Sequence, residues 1–96
     1  MNKTLLSYLR KFNIDQDAIF QIEVLPNEET NKFEAICHKT GSKFHAFERL
    51  SAITLLKIQI INEHSSFAII EPFKGVEHML SIYDCGKLVL KQKWVM

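Results

Sequence analysis

The sequence predicts an α+β fold: an N-terminal helix, an antiparallel three-stranded meander, a second helix, then three further antiparallel strands ending in a hairpin. Three observations predict it. Apolar residues recur at helical spacing near the start, period-two alternation fills most of the remaining chain, and Asn13, Pro26, Gly41, Pro72, Gly75 and Gly86 fall where those patterns stop.

Leu5, Leu6, Leu9 and Phe12 give the first helix, from about Lys3 to Phe12. Arg10 and Lys11 sit where the negative end of the helix dipole favours cations, and Asn13 can take a left-handed cap. Phe20, Ile22 and Val24 then alternate with Gln21 and Glu23 as a strand that stops at Pro26-Asn27. Phe33, Ala35 and Cys37 alternate with Glu34, Ile36 and His38, and Lys43 to Phe47 complete the meander. Reading Gly41-Ser42 as a two-residue turn sets Thr40 opposite Lys43 and His38 opposite His45. Pairing Val24 with Phe33 likewise sets Glu23 opposite Glu34.

Glu48 to Asn62 reads either as a helix, from its strong helix formers, or as a strand, from Leu56, Ile58 and Ile60. A helix is expected, because a three-stranded antiparallel sheet leaves an apolar face that needs a cover. A strand from Phe67 to Glu71 follows, stopped by Pro72. His78 to Asp84 and Lys87 to Trp94 form the final hairpin around Cys85-Gly86.

Ninety-six residues at 47% apolar and 24% charged suit one domain with a single core. The glycines are too far apart for any phosphate-cradling loop, so a nucleotide fold is excluded and no cofactor is expected. Twelve cations against 11 acids leave a net charge of +1, too small to draw nucleic acid or an anionic membrane by its overall field. No apolar run approaches a membrane span, and Ser7, Tyr8, Arg10 and Lys11 interrupt any signal-like stretch. Two cysteines, Cys37 in a strand interior and Cys85 at a hairpin tip, are expected unbonded in a reduced, cytoplasmic setting.

Candidate functional residues fall into two groups. The first lies on the outer face of the meander, where Ile19, Ile36 and Phe47 are expected around Glu23, Glu34, His38 and His45. That face is too apolar for plain solvent and must meet the first helix, another protein or a second copy in a homodimer. The second group is Lys87, Lys91 and Lys93 with Trp94, a mixture of phosphate attraction and stacking that suits a weak single-strand nucleic-acid binder. The histidine pair, with Lys43, also admits a metal-independent nuclease, but two imidazoles without a third ligand make no metal site. With no nucleophile or cofactor loop, the leading expectation is a small cytoplasmic protein-binding module of inhibitor, immunity-protein or escort-chaperone type. Nucleic acid is the minor reading, and no membrane role is expected.

The order of helix, three strands, helix and further strands resembles the small secretion chaperones. Those chaperones are dimers as a class, but a likeness in the order of elements does not carry function. It covers only the order of elements and transfers no residue: those chaperones are acidic and end in a helix, whereas this chain is near neutral and ends in a hairpin.

Overall fold

The expected elements form in the expected order in the computed structural model, which describes residues 3–95. Helix α1 (Lys3–Lys11) leads through a 3-10 turn at Gln16–Ala18 into strands β1 (Ile19–Gln21) and β2 (Glu23–Asn27). Strands β3 (Lys32–Cys37) and β4 (Ser42–Ala46) precede helix α2 (Arg49–Glu63), and β5 (Phe67–Lys74), β6 (Glu77–Asp84) and β7 (Lys87–Val95) follow it. Among these residues there are two sheets, ordered β1-β5-β6-β7 and β2-β3-β4; every pairing is antiparallel except β1 with β5.

Helix α1 ends as its sequence requires. Asn13 takes φ +55, the Asn13 amide donates to Arg10 O and the Ile14 amide to Leu9 O, which together make a Schellman cap. Leu5, Leu9 and Ile14 then pack with Ala68, Ile70, Leu80, Ile82 and Trp94 on one face of the four-stranded sheet. The other face contributes Phe67 and Ile69 to a second cluster, which α2 fills with Ala52, Ile53, Leu56 and Ile60. Ala35 and Cys37, from the inner face of the small sheet, close that cluster from the far side. Helix α2 thus packs between the two sheets through Ala52, Ile53, Leu56 and Ile60 at helical spacing, while Ile58, which completes the strand-like alternation, is exposed.

Four expectations need correction. The segment expected as the first meander strand is broken at Ile22, whose amide donates to Ile70 O, so Ile19 to Gln21 leave the meander and pair in parallel with β5. Gly41-Ser42 is not a two-residue turn. Cys37 pairs with Ser42 around the four-residue loop 38–41, Gly41 ends that loop at φ +74, and its amide donates to Cys37 O. His45 therefore faces Glu34, while His38 lies in the loop. The β2–β3 hairpin closes the same way around residues 28–31, with Asn31 at φ +57, so Glu23 faces Ile36 and Leu25 faces Glu34.

The fourth correction concerns β5, which runs on through Pro72 to Lys74 with a bulge. Ile70 turns its carbonyl to the β1 side, and Pro72, two residues on, presents its missing amide to the same side beyond the end of β1, where no ladder bond is owed.

Candidate functional site

The meander face proposed from the sequence does not assemble as one apolar surface. Ile19 belongs to the other sheet and packs half-buried against the cluster beneath α1. Ile36 is buried between its cross-strand neighbours Glu23 and Lys43. The polar groups around it have neighbours: Glu23 meets His38 at 3.5 Å, and Glu34 meets His45 at 3.6 Å and Lys43 at 3.9 Å. Glu23 and Glu34 do not stand opposite each other as expected: Ile36 faces Glu23 and Leu25 faces Glu34. Helix α1 does not cover this face; of the expected apolar trio only Phe47 stays accessible, at 70% exposure.

The histidine pair of the nuclease reading is likewise not formed, since each imidazole sits beside its own glutamate. A cleft of about 360 Å3 lies beside His38 and Glu23, lined also by Ile19, Gln21 and Lys39. The Lys39 ammonium is occupied there, donating to Ile19 O at 3.2 Å and resting 5.5 Å from the Phe20 ring centre.

The lysine strand is rearranged by a bulge. Between Ile82 and Tyr83 the register shifts, so Lys87 pairs with Asp84 while Lys91 pairs with Ser81 and Lys93 with Met79. Alternation then puts Lys87 on the α1 side of the sheet and Lys91 and Lys93 on the α2 side. Trp94 is buried in the core beneath α1 and offers no stacking platform.

Some of the exposed apolar side chains lie near the start of α2, apart from Leu55 and Ile58 further along that helix and Leu88 and Val89 on β7. Among the described residues Val76, Phe47 and Leu50 are the most exposed large apolar residues, at 81%, 70% and 69%; Ile58, Leu88 and Leu25 come next, and Phe73 is 45% exposed. Phe47 continues β4 one step past the Phe33–Ala46 pair, and the Lys32 ammonium lies 4.9 Å from its ring centre. Two residues on, the Arg49 guanidinium donates to Phe73 O at 3.4 Å and ties the start of α2 to the end of β5. Val76 stands at the tip of the β5–β6 hairpin, three residues beyond Phe73. Glu48, at the N-cap of α2, makes no side-chain capping bond.

Beside this apolar end runs a groove of about 150 Å3, lined by Leu50, Lys57, Glu71, Phe73, Met79 and Lys91. Its carboxylate is already held: the Lys57 ammonium donates to Glu71 Oε1 at 2.8 Å, with both side chains largely buried. Glu77 has a looser, exposed partner in Lys93 at 3.7 Å. Arg49 and Lys91 are left without a carboxylate partner among the described residues. On the other side of Phe47, Leu25, Pro26, Asn27, Glu28, Glu29 and Glu34 line an open depression of about 490 Å3. The Asn27 side chain accepts from the Glu29 and Thr30 amides and holds that loop, while Glu28 and Glu29 meet no cation among the described residues.

Sequence reasoning missed Leu50, Phe73, Arg49 and this loop. The available signal was Leu50 falling outside the Ala52, Ile53, Leu56, Ile60 stripe, and Phe73 standing apolar beyond Pro72.

Among the described residues no three His, Cys, Asp or Glu side chains gather as a metal site, and no helix is long and apolar enough to cross a membrane. No family model matches this chain, and neither a curated protein nor a solved structure is significantly similar to it.

Proposed function

We propose that this chain is a protein-binding module of inhibitor, immunity-protein or escort type, working through the apolar end at the start of α2. The observation that carries this reading is exposed apolar surface at the start of α2, where Leu50 and Phe73 line one groove, Arg49 bonds Phe73 O, and Phe47 stands exposed two residues before Arg49. Exposed apolar residues scattered singly need no explanation, but a group with charged residues at its rim is the usual make-up of an interface. A reduced, cytoplasmic setting suits the two free thiols, Cys37 in the core and Cys85 at the surface.

The test is capture by a tagged chain, with untagged copies of the same chain counted among the candidates. The wild type should retain a stoichiometric partner that Phe47→Ser/Leu50→Ser loses while its melting temperature stays within about 2 °C of wild type, since neither side chain is buried. Equal capture by both proteins, or none by either, would count against the reading.

A further inference from the structure

We infer that the partner seated on this end is a second copy of the chain, related by a two-fold axis near Phe47, with the acidic loop of each copy against the basic groove of the other. The inference rests on the protein-binding reading and names its partner. A two-fold contact buries one patch against itself, so the patch must be self-complementary. This one is ordered net acidic, apolar, net basic: Glu28 and Glu29 outweigh Lys32 at one end, and Arg49 and Lys91 outweigh Glu48 at the other.

Lys32, which closes the loop bearing Glu28 and Glu29, sits against Phe47. Phe47 leads in three residues to Leu50, and Leu50 to the groove, where Lys91 lacks a carboxylate and beside which Arg49 bonds Phe73 O. Rotation about an axis through the apolar middle brings each acidic end to a basic end, twice. Leu25, exposed beside the acidic loop, supplies an apolar side chain for the wall formed by Leu50 and Phe73. The alternative self-contact, pairing of two β7 edges, would set Lys91 and Lys93 of one copy close to those of the other, and like charges across a strand pair repel.

Two surface charge reversals test this. Glu28→Lys/Glu29→Lys makes the loop basic, and Arg49→Glu/Lys91→Glu makes the groove acidic; all four side chains are exposed. Sedimentation equilibrium at low salt should show the wild type as a dimer and each variant weakened at least about tenfold in self-association, because each variant then sets like charges together at both contacts. Mixing the two variants should restore a dimer, now a heterodimer with two attractive contacts, and a chain carrying all four substitutions should dimerise again. Circular dichroism melts of the variants close to that of the wild type confirm that folding is not the cause. A wild type that stays monomeric at high micromolar concentration, or a dimer untouched by either reversal, overturns the self-contact. Phe47-dependent capture of a different protein by that monomer would leave the protein-binding reading standing, so the two failures are distinguishable.

Discussion

Replacing Lys57 with methionine removes the only hydrogen-bond donor the Glu71 side chain has among the described residues while keeping the volume of the lysine stem. The Lys57 and Glu71 side chains are 20% and 9% exposed, so the stranded carboxylate has little water to turn to. Breaking a fully buried pair costs about 3 to 5 kcal/mol; the residual exposure here argues for about 2 kcal/mol. For a chain of 96 residues that corresponds to a melting temperature lower by about 8 to 16 °C. Removing both charges, as in Lys57→Met/Glu71→Leu, leaves nothing stranded and should return stability to within about 1 kcal/mol of wild type. Urea denaturation followed by circular dichroism gives both numbers. A single variant within about 0.5 kcal/mol of wild type would mean that the pair behaves as an ordinary surface bridge, and that Glu71 is not withdrawn from the groove's charge balance.

Other expectations follow from single residues. Trp94, the only tryptophan, should emit at a blue-shifted wavelength that single-stranded RNA does not quench, and Trp94→Ala should cost about 3 kcal/mol in a denaturant melt. Cys85 is the first central residue of the β6–β7 turn, and both it and Gly86 have positive φ, the type I′ pattern; Cys85→Gly should raise stability by about 0.5 to 1 kcal/mol. A thiol reagent should modify Cys85 in the native protein and reach Cys37 only after unfolding, as counted by mass spectrometry.

What the sequence showed of this fold depends on which physical quantity each element rests on. Burial side is local. Phe33, Ala35 and Cys37 face inward as their alternation predicts, and they do so although the assumed register was displaced by two residues against β2 and four against β4. Even displacements leave every side chain on its face and change only its partner, so alternation is blind to them. The partners are set by loop length, and the relevant signal was the left-handed residue closing each loop, Asn31 after Thr30 and Gly41 after Thr40.

The split of the first strand at Ile22 left no trace, because Phe20, Ile22 and Val24 keep one alternating pattern while the chain passes from one sheet to the other. Its parallel partner lies more than 40 residues away, beyond the reach of any local pattern. The partners within the candidate site were hidden for the same reason: Glu23, Glu34, His38 and His45 share a face as expected but pair as Glu23–His38 and Glu34–His45, and Arg49 reaches Phe73 across 24 residues of sequence.

The most direct test of the account is zero-length carbodiimide coupling of carboxylates to lysines in an equal mixture of light and 15N-labelled chains, read by mass spectrometry. Lys93–Glu77 and Lys43–Glu34, 3.7 and 3.9 Å apart in one chain, serve as internal controls and should couple without isotope mixing. The account predicts an additional coupling of Lys91 to Glu28 or Glu29 in which light and heavy peptides are joined, and its loss in Phe47→Ser/Leu50→Ser. Coupling confined to the control pairs, or a mixed-isotope product joining Lys91 to some other carboxylate, would contradict it.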